Sequence, residues 1–255
     1  MEQMNNGYKL AFIIAHKYIS GYPSYLKYYI DNINNFYTDS LIIVVDNNSL
    51  KLNEITEQFL NEKNIIFLTN NTDCKFEIGA YKVGINYMIN NSLLNNYDYC
   101  VFTQDTYVLK NKYDFNNLKK ENIEASSIIG WTNDLEKMDV CIPVLNKIGL
   151  LNRLNETNLC WCNSFIVSKN KVLDLYNLLY NIIIVNRHQS EGSERYLGRI
   201  LFELNNHKNY AIDGNDNNYV IDGVTHNCLS VNVFDNINKF FCKTCQQKNE
   251  RTIEN

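Results

Sequence analysis

Within the first 109 residues, short apolar runs alternate with stretches whose apolar positions recur every three or four residues, and this alternation limits the fold more than any other feature. The runs are residues 9–16 (KLAFIIAH), 41–45 (LIIVV), 65–68 (IIFL) and 96–109 (NYDYCVFTQDTYVL). A continuous apolar run of this length reads as a strand buried on both faces, as in a parallel sheet. Between the runs, residues 25–37 place Leu26, Tyr29, Ile30, Ile33 and Phe36 on one helical face, and residues 52–61 do the same with Leu52, Ile55, Phe59 and Leu60. Residues 80–94 give a third helix with Val83, Tyr87, Met88 and Leu94 turned inward. Such alternation predicts an α/β fold: a Rossmann-like, mainly parallel central sheet flanked by helices.

The pattern loosens after residue 109. Residues 110–124 are polar, 125–131 and 161–167 read as strands, and 171–179 as a helix. Residues 190–204 form a clear helix with Tyr196, Leu197, Ile200, Leu201 and Leu204 on one face. Beyond His207 the segments are short, and residues 246–255 read as a frayed tail. No repeat or long linker divides the 255 residues, so a single domain with a less regular second half is expected. A net charge of −4 gives no basic field for DNA or RNA. No apolar run reaches 18 residues, and residues 1–7 are too polar for a signal peptide, so a cytoplasmic location is expected. The eight cysteines are then thiols rather than disulfides.

Several side chains stand where chemistry is done. Asp105 breaks the fourth apolar run, flanked by Thr103, Gln104 and Thr106. A carboxylate at the end of a buried strand lies where open α/β sheets bind ligands and can hold a divalent cation against a diphosphate; capping a turn is its other use. Asp46 closes the second run in VVDNNS, suited equally to a ribose or base edge and to an Asx-turn or helix cap. Gly79, in FEIGAYKVGIN, either admits a phosphate or base close to the backbone or opens a helix. Ser190-Glu191-Gly192-Ser193-Glu194-Arg195 offers a general base with a charge partner, or acids placed by a helix dipole. His226 suits a metal or phosphate contact, and with Cys228, Cys242 and Cys245 it spells an incomplete zinc pattern. Trp131 and Trp161 either stack on sugar rings or fill the core.

VVDNNS, FEIGAYKVGIN ahead of a strand, and YDYCVFTQDTYVL together resemble the GT-A fold glycosyltransferases over about residues 8–230, in the style of family-2-like enzymes of large DNA viruses and bacteria. The resemblance implies inverting, metal-assisted transfer of a sugar from a nucleoside diphosphate sugar, such as a UDP-sugar, to a glycan, lipid or protein hydroxyl. Mn²⁺ or Mg²⁺ is the implied cofactor. It implies a donor half at about 8–109, carrying His16, Asp46, Gly79, Lys82, Thr103, Gln104 and Asp105, and an acceptor half at about 110–245, carrying Trp131 and Trp161. Asp105 matches the last acid of the family's Asp-X-Asp motif, and Thr103 replaces the first. Glu194 matches the acid that deprotonates the acceptor, with Glu191 as its rival, and His226 matches a C-terminal metal ligand. A non-catalytic nucleotide- or glycan-binding module and a nucleotidyltransferase are the alternatives. The latter is disfavoured because no glycine-rich basic loop follows the first run, and a dehydrogenase because His16-Lys17-Tyr18-Ile19-Ser20-Gly21 stands where GxGxxG belongs. No nucleic acid and no membrane span are expected. The sugar, the acceptor and any homo-oligomer stay open.

Overall fold

The first apolar run forms strand β1 (Leu10–His16), all seven residues of which are buried. In the computed structural model, which describes residues 8–18, 26–49, 57–62, 65–109, 111–128, 130–131, 136–156, 159–212 and 241–243, it leads into α1 (Leu26–Phe36) and β2 (Leu41–Asp46). Next come α2 (Glu57–Glu62), β3 (Ile65–Thr69), α3 (Phe76–Asn90), β4 (Tyr99–Gln104), β5 (Tyr107–Leu109) and α4 (Asn116–Lys120). The second half adds β6 (Ala125–Ser127), β7 (Gly130–Trp131), α5 (Met138–Lys147), β8 (Leu159–Cys160), β9 (Phe165–Ser168), α6 (Val172–Tyr180), α7 (Arg187–Leu204) and β10 (Phe241–Lys243).

Six strands form the central sheet in the order β3-β2-β1-β4-β9-β6. The first four are parallel, and β9 runs antiparallel to both β4 and β6. The expected mainly parallel α/β sheet is therefore observed. The chain lays β1, β2 and β3 outward in one direction, then returns to place β4 on the other side of β1. Open α/β sheets bind ligands outside the carboxyl ends of their strands at such a reversal, because the two connections diverge and leave a crevice.

Alternate residues of each strand feed two cores. Ile13, Phe102 and Phe165 face Tyr81 of α3 and Tyr196 of α7. Phe102 stacks on Phe165 at 4.6 Å between ring centres, and Tyr81 meets both edge-on. Phe12, Ile14 and Val44 face Tyr29 and Ile33 of α1 on the opposite side.

Where elements differ from expectation, a local cause is visible. Helix α3 begins at Phe76 rather than at residue 80; Ile78, Tyr81, Ile85 and Met88 are fully buried, and the expected Val83, Tyr87 and Leu94 are half-buried against the same core. The fourth run is interrupted at residues 105–106, and β5 leaves the sheet to pair with β10. Residues 125–131 split between β6, in the central sheet, and β7, which pairs with β8. The expected strand 161–167 opens instead with a 3-10 turn, Trp161–Asn163, because Cys162 and Asn163 take left-handed φ of 54° and 53°. Helix α7 starts at Arg187, three residues early, because the Asn186 side chain caps it by accepting from the Gln189 amide at 3.0 Å. Helix α5, with Pro143 inside it, was not expected. Of the predicted helix 52–61, residues 52–56 lie outside the described residues.

Candidate functional site

At the reversal point, β1 and β4 end beside each other and present His16 and Asp105. His16 is 2% exposed, and its Nδ1 lies 2.7 Å from Asp105 Oδ2. The Lys17 amide donates to the same oxygen at 3.0 Å, and the Asp105 amide donates to the Ala15 carbonyl at 2.9 Å. Asp105 thus bridges the ends of β1 and β4, anchored through Oδ2, and its Oδ1 takes no part in these bonds. The Lys17 ammonium lies across the neighbouring gap, on the carbonyls of Asn47 and Asn48 at 3.2 and 2.9 Å.

Other donor-side residues take different places. Both Asp46 oxygens accept from Ser49, one from its amide at 2.7 Å and the other from its hydroxyl, so the turn reading of this residue describes the geometry. Gly79 lies within α3, where a Cβ would stand 1.9 Å from the Cys74 carbonyl oxygen and 2.6 Å from Asn70 Nδ2. Its bareness lets the helix meet its own preceding loop, and Asn70 in turn donates to Asn47 Oδ1 at 2.9 Å, next to Asp46. Lys82 donates to the carbonyls of Tyr180 and Ile182 at 2.8 and 2.9 Å, so it belongs with the α6 C-terminus and not with the strand ends. Thr103 is fully buried on the α1 side and accepts from the Tyr29 hydroxyl at 3.1 Å. Successive side chains on a strand point to opposite faces, so Thr103 lies on the face of β4 opposite Gln104.

Gln104 opens a second polar group. Its amide nitrogen donates to Glu77 Oε1 at 2.8 Å and to the Cys162 carbonyl at 2.9 Å. The Cys162 amide donates in turn to Glu194 Oε1 at 2.9 Å, while Arg195 Nη1 sits 3.2 Å from Glu194 Oε2. Glu77 Oε2 accepts from Ser190 Oγ at 2.8 Å and Asn163 Nδ2 at 3.4 Å, and the Ser193 hydroxyl donates to Asn163 Oδ1 at 2.7 Å. Nothing in the sequence brings Glu77 and Asn163 together with Ser190 and Ser193. The one local signal was an acid in the first turn of α3, which a helix dipole alone explains.

Glu191 differs from Glu194. Burial pushes its carboxyl up, but hydrogen bonds from Lys137 at 2.6 Å and Arg187 at 2.8 Å outweigh this and leave it below the usual carboxylate range. A carboxylate so held is a poor proton acceptor. Burial, reinforced by Glu194, pushes the Cys160 thiol well up, and burial does the same to the Tyr81 and Tyr107 phenols, so these groups stay neutral beside the site.

Trp161 is half-buried against the α1-side core. The side chain of Trp131, and His226, Cys228 and Cys245, lie outside the described residues, as does the side chain of Cys242. Among the described residues, no three His, Cys, Asp or Glu side chains are grouped to hold a metal ion. This set offers a divalent cation one carboxylate, Asp105. That fits an ion such as Mg²⁺, which takes one or two carboxylates and completes its shell with substrate phosphates and water. Among the described residues, no helix is long and apolar enough to cross a membrane.

No family model matches the chain, and no curated protein does. Among solved structures it is similar to the mannosyltransferase Ktr4p of S. cerevisiae in complex with GDP, at 10% identity over 76% of this chain and 64% of that one, with a TM-score of 0.38. It is also similar to core-mannan synthase A (CmsA/Ktr4) of Aspergillus fumigatus in a Mn/GDP form, at 11% identity over 80% of this chain and 72% of that one, TM-score 0.37. The M. tuberculosis glucosyl-3-phosphoglycerate synthase gives 13% identity over 80% of this chain and 70% of that one, TM-score 0.44. At 13% identity or less, no residue role passes from these proteins to this chain.

Proposed function

We propose that this protein is a GT-A-like glycosyltransferase that moves a sugar from a nucleoside diphosphate sugar to an acceptor hydroxyl with inversion. One observation carries the reading. Asp105 at the reversal of strand order is joined through Gln104 and the Cys162 peptide to a second carboxylate, Glu194. Glycosyl transfer needs two such groups, one to manage the charge of a departing diphosphate and one to take a proton from the acceptor.

In this reading His16 and the Lys17 amide fix Asp105 beside the donor diphosphate. Glu194 accepts the acceptor's hydroxyl proton while the acceptor oxygen bonds to the anomeric carbon. The bond from that carbon to the diphosphate breaks on the opposite face, its electron pair leaving with the diphosphate, and the configuration inverts. A Mn²⁺ or Mg²⁺ ion, held by Asp105 with His226 as second protein ligand, would supply positive charge to the leaving group. The Glu191 carboxylate, tied to Lys137 and Arg187, supports Glu194 as the base. Trp161 lines the acceptor side, next to the Cys162 peptide. The family-2-like subgroup, a UDP-linked donor and a glycan, lipid or protein acceptor belong to the same proposal and rest on the sequence motifs; a cytoplasmic site of action belongs to it too and rests on the hydropathy of the sequence, in which no apolar run reaches 18 residues.

The test is a calorimetric and thermal-shift screen of nucleoside diphosphates and their sugars with and without Mn²⁺, followed by assay of nucleoside diphosphate release. Binding with metal-dependent release supports transfer. A second reading, a module that binds a nucleotide sugar without chemistry, draws on Thr103, which stands where the motif's first acid belongs and is buried against Tyr29. Binding with no release under any acceptor would favour it, and absence of binding would sink both.

A further inference from the structure

We propose that Gln104 is a positioning residue that sets the Glu194 carboxylate at a fixed place relative to Asp105. The inference rests on the glycosyl-transfer reading and deepens it. Gln104 is the last residue of β4, directly before Asp105. Its amide nitrogen meets two acceptors, Glu77 Oε1 at 2.8 Å and the Cys162 carbonyl at 2.9 Å, while its oxygen accepts from the Thr106 hydroxyl at 3.3 Å. Those partners define which end of the amide faces which.

The Cys162 peptide is gripped from both sides, its carbonyl by Gln104 and its N–H by Glu194. Around it the chain is held in an unfavourable shape: Cys162 and Asn163 take φ of 54° and 53° without being glycines. Such a shape costs roughly 1–2 kcal/mol at a cysteine and less at an asparagine, and persists where neighbours over-determine it. Asn163 supplies that restraint, bonding the Ser190 carbonyl at 3.3 Å and the Ser193 hydroxyl at 2.7 Å. Glu77 closes the frame between Gln104 and Ser190. The end of β4, the start of α3, the 161–163 turn and α7 are thereby joined by side chains up to 113 residues apart in sequence. Displacing a base by about 1 Å lowers turnover by up to about 100-fold, which such a frame guards against.

The experiment uses the full chain with Gln104→Glu, alone and combined with Glu77→Gln. The single change keeps the shape but turns a donor into an acceptor, opposing both Glu77 and the Cys162 carbonyl. Turnover of a nucleoside diphosphate sugar should fall about 10- to 100-fold. The double variant returns a donor to the contact between positions 77 and 104 but not to the Cys162 carbonyl. It should regain thermal stability yet stay slow, whereas recovery of stability and turnover together would overturn the proposal. Hydrogen exchange at the Cys162 amide gives a readout free of activity. Exchange about tenfold faster in both variants supports the assignment, and unchanged exchange overturns it. If the wild-type chain neither binds nor turns over any nucleotide sugar, the glycosyl-transfer reading fails, and exchange alone decides whether Gln104 holds the turn.

Discussion

His16 and Asp105 meet at 2.7 Å, Nδ1 to Oδ2, across the point where strand order reverses between β1 and β4. The Asp105 side chain is 16% exposed against 1% for the imidazole, so the carboxylate is the member of the pair that solvent reaches. Asp105→Asn should therefore weaken Mn²⁺-dependent binding of a nucleoside diphosphate at least about tenfold by calorimetry, since a neutral amide is a poor ligand for a hard cation. His16→Phe should cost about 1–3 kcal/mol in urea unfolding, because the carboxylate loses a buried partner. It should weaken binding less than Asp105→Asn does. The reverse order would show that His16, not Asp105, is the group that meets the ligand.

Glu194 and Glu191 lie one turn apart on α7 in different electrostatic settings. One Glu194 oxygen accepts from a backbone amide and the other faces Arg195, whereas Glu191 is clamped by two cations. Glu194→Gln should reduce turnover about 100- to 10,000-fold with donor Kd unchanged, the signature of a lost general base. Glu191→Gln should leave turnover within about threefold on the same argument. Full activity in the first variant and loss in the second would exchange their roles.

Rebuilding the missing acid of the motif should fail. Thr103 is fully buried, and Tyr29, whose phenol burial holds far above its usual range, is the neutral donor it meets. Thr103→Asp would bury a carboxylate with no cation beside it, at a cost of roughly 3–5 kcal/mol, and should not improve Mn²⁺ affinity. Thr103→Val should cost about 1–2 kcal/mol through the orphaned hydroxyl of Tyr29. A gain in Mn²⁺ affinity with stability preserved would mean that position 103 faces the crevice.

The buried strands were legible because residues covered on both faces leave no polar alternation to misread, and Leu10–His16 and Leu41–Asp46 match their apolar runs almost to the residue. Helix starts were not. The start of α7 is set by Asn186, a cap that resembles any loop asparagine until Gln189 is seen to donate to it. The turn at Cys162 carried no signal, since cysteine seldom takes left-handed φ and the flanking apolar residues suggested a strand. Asp105 and Glu194 stand out in the sequence as acids at the ends or starts of periodic segments, which is what makes them candidates. Glu77 was not, because its partners Gln104, Asn163 and Ser190 are 27, 86 and 113 residues away, and no local pattern records such a meeting.

The Glu191 clamp has a pH signature. Its carboxyl titrates below the usual 4.5, so the clamp's contribution is complete above about pH 4.5 and is lost as the pH falls through the lowered value. The Glu191 side chain is 40% exposed, so screening limits that contribution to about 0–1 kcal/mol. Lys137→Met should flatten the acid side of a Tm-against-pH profile between pH 7 and 3, and about 1 M salt should shrink the difference. A steeper acid loss in the variant would mean that Lys137 does not depress this carboxyl.

Gly79 and Gly149 separate two reasons for a glycine. At Gly79 a Cβ would stand 1.9 Å from a backbone oxygen, that of Cys74, which Asn70 and Thr72 pin with hydrogen bonds of 2.8 and 3.1 Å. Neither α3 nor the loop can yield without breaking those bonds, and the loop carries the Asn70 link to Asn47 beside Asp46. Gly79→Ala should therefore cost about 3 kcal/mol or more, at the upper end of overpacking penalties, and should loosen the 46–49 loop in hydrogen exchange. Gly149 has nothing within 4 Å but a φ of +75°. Gly149→Ala should cost only about 1–2 kcal/mol, the backbone penalty of a left-handed residue, and Gly149→Asn less, since asparagine visits that region more readily. If Gly79→Ala instead folds within about 1 kcal/mol of wild type, close packing is not what keeps this position bare. The bareness would then be explained by a ligand approaching the backbone at the start of α3, and nucleoside diphosphate affinity, not stability, is what that variant would lose.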